Sequence, residues 1–159
     1  MYSRYQEQII NDVQTNLEEM GTQPILFIGS GLSKRYFHAP NRKELLELLK
    51  KRCPIIPHGP GYYLQGAKSL SELGSIYTEY YREWAWDNQE NYPTEFFSTE
   101  IPKDIYIKFE IKEILEEITP KSIDEIKDEK LKEEIKILQD IQLHALITTN
   151  YDNFLENFL

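Results

Sequence analysis

Pro24-Ile25-Leu26-Phe27-Ile28-Gly29-Ser30-Gly31-Leu32-Ser33 is an apolar run that breaks into a glycine-rich turn and ends on a hydroxyl. Ile25 to Ile28 show no polar alternation, the pattern of a strand covered on both faces in a parallel sheet. The glycines after it let the backbone approach a ligand closely, and the amides that open a following helix are unpaired donors carrying partial positive charge. The stretch therefore predicts a central strand entering a phosphate-binding turn. Ala145-Leu146-Ile147-Thr148-Thr149-Asn150-Tyr151-Asp152 repeats the design with a polar tip in place of the glycines. It puts a neutral amide and a carboxylate at the carboxyl end of a second strand, where open α/β folds bind ligands.

Neither stretch completes a common nucleotide fingerprint. Lys34 occupies the third glycine position of G-x-G-x-x-G, and no Gly-Lys-Ser or Gly-Lys-Thr follows for a Walker A loop. A plain tight turn at Gly29 to Gly31, and helix capping by Asn150 and Asp152, are the structural alternatives.

Between the two strands the periodicity is helical. Ile9, Ile10, Val13, Leu17 and Met20 predict an amphipathic helix over 6–20, closed by Gly21. A short helical turn and a loop follow Ser33, and Asn41 caps a helix carrying Leu45, Leu46, Leu48 and Leu49. Residues 54–66, with three prolines and three glycines, read as a loop able to cover a cleft. Leu70, Leu73, Ile76, Tyr77, Tyr80, Tyr81 and Trp84 share a helical face expected in the core, with Trp86 as its exposed member. Helices are also predicted over 104–118, over 122–139 and from 152 onward. The Lys and Glu run from 121 to 136, and Lys34, Arg35, Arg42 and Lys43, read as solvated surface.

The expected fold class is α/β: a Rossmann-like parallel sheet flanked by helices, with a helical insert at roughly 54–140. Two strands are few for such a sheet, so residues 1–159 are expected to be the N-terminal portion of one larger domain.

Composition narrows the functions. Lys and Arg total 18 against 27 Asp and Glu, a net charge of −9 that repels nucleic acid at long range. Cys53 is the only cysteine, so no disulfide framework or multi-cysteine zinc module can form within the chain. No run approaches a membrane span and no signal core opens the chain, so a cytoplasmic location is expected.

Taken together, the two motifs resemble the sirtuin-like family of NAD-consuming domains. Gly29-Ser30-Gly31-Leu32-Ser33 looks like the family's Gly-Ala-Gly-x-Ser loop, and Thr149-Asn150-Tyr151-Asp152 looks like its Gln-Asn-x-Asp segment. Thr148-Thr149-Asn150-Tyr151-Asp152 is similar to the form usual in the divergent bacterial branch found in antiphage defence proteins. The resemblance covers roughly 24–41 and 144–155 and leaves the intervening helices unmatched.

It implies hydrolysis of NAD to nicotinamide and ADP-ribose, with no metal. Gly29, Ser30, Gly31, Leu32 and Ser33 would hold the pyrophosphate and nearby ribose. Asn150 would contact the nicotinamide ribose and position water, and Asp152 would hold the carboxamide. Thr149 stands where deacylating sirtuins have glutamine. Asn41, where many sirtuins have aspartate, would lie in the flexible cofactor-binding loop formed with Ala39 and Pro40. The family's catalytic histidine follows the Asn-x-Asp segment, whereas His38, His58 and His144 all precede it. The His58-Gly59 pair has the family's dipeptide in the wrong chain order, and His144 reads as a hydrogen-bonding residue at the strand entrance. Implied partners are further copies of the chain and a HerA-type translocase or phage-derived activator protein. An NAD or ADP-ribose sensor without turnover, and a scaffold segment, are the competing readings.

Overall fold

The computed structural model describes residues 2–20, 23–66 and 68–159. Helices dominate, and β1 (Ile25–Ile28) and β2 (Ala145–Thr148) form a two-stranded parallel sheet, a mixed α/β arrangement. The register pairs Ile25 with Ala145 and Ile28 with Thr148. Thr149 extends the ladder by donating its amide to the Ile28 carbonyl at 3.2 Å, and His144 does the same to Pro24 at 2.9 Å. Two motifs more than a hundred residues apart thus leave the sheet side by side. At His144 it is the backbone that bonds at the strand entrance.

The sheet is covered on one face only, which corrects the expectation of a doubly buried strand. Ile28 is buried, whereas Ile25 and Phe27 are 58% and 68% exposed and Ile147 is exposed beside them. Alternation along each strand explains this, because successive side chains point to opposite faces. Ile28 and the half-buried Leu26 and Leu146 meet α2 (Gly31–Phe37), α7 (Glu129–Asp140) and α8 (Phe154–Phe158). At the centre of this cluster the Phe154 ring lies 5.2 Å from Tyr36, 5.4 Å from Phe37 and 4.6 Å from Phe158.

A second core joins α3 (Arg42–Arg52), α4 (Pro60–Gln65), α5 (Leu70–Asp87) and α6 (Ile105–Ile118). Tyr77 and Tyr81 are fully buried in it, as the helical face predicted, and Trp86 is exposed. Burial of Tyr81 is tolerated because its hydroxyl donates to the Leu49 carbonyl at 2.7 Å. Capping boxes start α3 at Asn41 and α5 at Ser69. Each is an asparagine or serine followed three residues later by glutamate, so two otherwise unpaired amides are satisfied reciprocally.

The segment 54–66 is not a lid. Pro60 starts α4 with its fixed φ, and Ile56 and Pro60 are buried with Cys53 in the helical core. The helix expected over 122–139 begins only at Glu129, where the Asp128 carboxylate accepts the Lys130 amide and caps the first turn. A short 3-10 turn at Ile123–Glu125 precedes it and drives Ile126 into the sheet cluster. The amphipathic N-terminal helix exists as α1 (Tyr2–Met20), yet every side chain from Arg4 to Glu19 is exposed. Gly21 and the Met20 side chain lie outside the described residues. Among the described residues no helix is long and apolar enough to cross a membrane.

Burial pushes the Cys53 thiol from 9.0 up to about 11. The unfolded chain ionises this thiol above pH 9 while the folded one keeps it neutral. Its contribution to stability is therefore present in full below pH 9 and lost as pH rises toward 11. Two pH units of this kind correspond to about 3 kcal/mol. Thermal midpoints measured across this range should fall steeply for the native chain and less steeply for Cys53→Ala.

Candidate functional site

Ser33, Asn150 and Asp152 form one hydrogen-bonded junction where the two strands end. The Asn150 Nδ2 donates to Ser33 Oγ at 2.8 Å, and Ser33 Oγ donates to Asp152 Oδ2 at 2.8 Å. Direction is fixed by chemistry. An ionised carboxylate only accepts, so the serine hydroxyl must give its proton to Asp152 and accept from the asparagine amide. That in turn sets the amide orientation and leaves Asn150 Oδ1 as the acceptor end of the side chain. Among the described residues, Asn150 Oδ1 is the one buried side-chain polar atom without a hydrogen-bond partner. Buried acceptors are normally satisfied, and an unpaired one costs about 1–3 kcal/mol, a cost that a donor supplied by water or a ligand would remove.

Local folding puts each group there. Asn150 leaves β2 with its backbone amide donating to Thr148 Oγ1 at 3.0 Å, a local side-chain turn at the strand end. Tyr151 is exposed and Asp152 buried. The Asp152 Oδ1 accepts the Phe154 amide at 3.2 Å, so this residue also serves the start of α8. Ser33 is buried on the first turn of α2, directly after the glycines.

The glycine turn itself is exposed at Gly29, Ser30 and Gly31. Neither glycine adopts a left-handed conformation, so their value here is bare space rather than backbone freedom. A Cβ at Gly31 would meet nothing within 4 Å, and one at Gly29 would sit 4.0 Å from the Thr149 hydroxyl. Ser30 starts α2 in a helical conformation without a side-chain cap bond. The Leu32 amide is committed to the Gly29 carbonyl at 3.1 Å, and its half-buried side chain packs on the sheet cluster. The amides of Ser30, Gly31 and Ser33 find no backbone carbonyl among the described residues, as the start of a helix dictates.

Asn41 is engaged elsewhere. Its Oδ1 accepts the Lys43 and Glu44 amides at 3.0 Å each, and its own amide donates to Glu44 at 2.7 Å. These bonds hold the Glu44 carboxyl below its ordinary value, the Asn41 amide contributing most. The Ala39-Pro40-Asn41 segment is thus anchored at its end by a capping box, with Ala39 buried.

One groove opens at the junction and a second lies beyond Tyr151. The first, of about 540 Å³, is lined by Asp152, Tyr151, Asn157, Thr119 and Lys112. Tyr151 and Lys112 also line a groove of about 660 Å³ between α3, α5 and α6. A shallower hollow of about 410 Å³ runs along Leu26 to Gly29, Gly31 and Arg35. Arg35 is held by Glu134 through two bonds, at 3.0 and 2.5 Å, which tie α2 to α7 beneath the turn. The guanidinium keeps the Glu134 carboxyl below its ordinary value.

None of the three histidines is hydrogen-bonded to this junction. His38 ends α2 in a left-handed conformation, His58 stacks on Tyr62 at 4.0 Å, and His144 is exposed at the entrance to β2. No family model matches the chain, and no curated protein or solved structure matches it either. Among the described residues no group of three or more His, Cys, Asp and Glu is placed to hold a metal ion.

Through the resemblance the sequence assigns Ser33, Asn150 and Asp152 to one site, but it does not show the hydrogen-bonded junction that joins them. Its signal was present as a serine two residues after a glycine turn and an Asn-x-Asp after a strand, but their contact is a tertiary fact. Ser33→Ala should remove both bonds at once and leave Asn150 Nδ2 unpaired, lowering stability by about 1–3 kcal/mol in urea titration.

Proposed function

We infer that this chain carries the NAD-handling site of a sirtuin-like NAD hydrolase of the bacterial antiphage type, cleaving NAD to nicotinamide and ADP-ribose. The observation that carries the reading is the unpaired Asn150 Oδ1 in a junction that unites both motifs. A ribose hydroxyl or an attacking water is the donor that this acceptor suits. An amide can take that proton-bearing group without adding charge beside Asp152. The free amides of Ser30, Gly31 and Ser33 support phosphate at the adjoining turn.

The reaction breaks the bond between nicotinamide and ribose C1′ through an oxocarbenium-like transition state, and water attacks C1′. Asn150 holds the ribose and water in line, which lowers the entropic part of the barrier. By the resemblance Asp152 holds the nicotinamide carboxamide, while fixed dipoles at the site stabilise the positive charge that develops as nicotinamide leaves. The proton lost by water needs a base, the role that the family's histidine after the Asn-x-Asp segment would fill. By the same resemblance, the protein acts as a homo-oligomer together with a HerA-type translocase or a phage-derived activator, and its single cysteine fits a reducing cytoplasm.

Chromatographic detection of nicotinamide, after NAD is incubated with a longer chain that carries a histidine after the Asn-x-Asp segment, tests the reading, since residues 1–159 alone lack the expected base. Release that depends on Asn150 is the expected result. Saturable binding of NAD without release selects the sensor reading, and absence of both leaves a scaffold.

A further inference from the structure

α1 presents Tyr5, Ile9, Val13 and Leu17 at every fourth position, 42–63% exposed, with Ile10 beside them at 55%. A stripe of this spacing on an otherwise polar helix is made to be covered. The helix is also acidic, with Glu7, Asp12, Glu18 and Glu19 against Arg4 alone. Asp12 and Glu19, seven residues apart, lie along one edge of the stripe.

The groove of about 660 Å³ has the complementary character. Its floor is apolar, formed by Leu45, Leu46, Leu70, Ile107 and Ile111, and its rim carries Arg42, Lys108 and Lys112 against Asp104. Gly74 widens it, since a Cβ there would meet nothing within 4 Å. Lys108 is paired with Asp104 at 2.7 Å and Lys112 with Glu116 at 3.3 Å, whereas Arg42 makes no ion pair among the described residues and is the rim cation left for an acidic partner. The other exposed apolar face, Ile25, Phe27 and Ile147 on the sheet, is bordered by Arg35, whose guanidinium is already paired with Glu134.

We propose that α1 of one copy docks in the α3–α5–α6 groove of a second copy, making this groove the self-association surface of the chain. The apolar stripe enters as a helix in a groove, with anchors at i and i+4. Asp12 and Glu19 run along the rim, where Asp12 meets the unpaired Arg42, which sets the direction of the docked helix. The groove contains none of Ser33, Asn150 and Asp152, and its test reads assembly rather than NAD cleavage, so the proposal stands or falls separately from the proposed activity.

The test uses the full chain. Sedimentation should show self-association that Leu17→Glu abolishes without changing helical circular dichroism, since Leu17 is exposed in the single chain. Arg42→Glu should weaken assembly by about tenfold or more, and Asp12→Arg in the same chain should restore it. Mixing Val13→Cys chains with Ser75→Cys chains under mild oxidation should give the mixed disulfide in preference to either symmetric one, with Cys53 buried and inert. A chain that is monomeric at every concentration overturns the proposal. So does assembly indifferent to Leu17→Glu, or a Val13→Cys/Ser75→Cys double variant that closes its disulfide within one chain.

Discussion

Phe154→Ala is expected to lower stability by about 3–5 kcal/mol, a large part of the total for a domain of this size. The ring is 1% exposed and contacts Tyr36, Phe37 and Phe158, so truncation opens a cavity that three aromatic neighbours cannot easily refill. The damage reaches the site because the Phe154 amide holds Asp152 Oδ1, and Tyr36 and Phe37 belong to the same helix as Ser33. Urea denaturation should show the loss directly. Phe154→Leu, which keeps most of the buried volume, should recover more than half of it.

Asn150→Ala is expected to leave the fold standing while removing nicotinamide release and weakening NAD binding by about tenfold or more. The alanine deletes the unpaired acceptor and the Nδ2 bond to Ser33, yet Ser33 still donates to Asp152 and the backbone amide of residue 150 still donates to Thr148. Ligand loss and fold retention therefore separate, which Phe154→Ala does not allow. Asn150→Asp sharpens the comparison. It keeps the shape but loses the donor to Ser33 and places a second carboxylate beside Asp152, so its stability at neutral pH should fall below that of Asn150→Ala and recover on acidification.

Much of this architecture is legible in the chain. Ile25 to Ile28 and Ala145 to Thr148 form strands as their apolar runs dictate, and Asn41 and Ser69 cap helices as their spacing to Glu44 and Glu72 requires. These are local signals, decided within one turn or one strand. What resists reading depends on partners far along the chain. Ile25 and Phe27 look identical in sequence to residues covered on both faces, and only the arrangement of α2, α7 and α8 on one side shows which alternate positions are buried. Residues 54–66 contain loop-forming residue types, but Ile56 and Pro60 fill the helical core and fix α4 against it. The junction of Ser33 with Asn150 and Asp152 spans 117 and 119 residues, and no periodicity relates its members. Likewise Asn41 is readable as a cap, whereas its absence from the junction is visible only in three dimensions.

The most direct test of the central claim, that the turn and the junction form one NAD site, is an amide NMR titration of the chain with NAD. Saturable shifts at the backbone amides of Ser30, Gly31 and Ser33, and at the side-chain amide of Asn150, are the predicted result. Spectra that do not change at saturating NAD, or shifts confined to the groove around Leu45, Gly74 and Thr78, would contradict it.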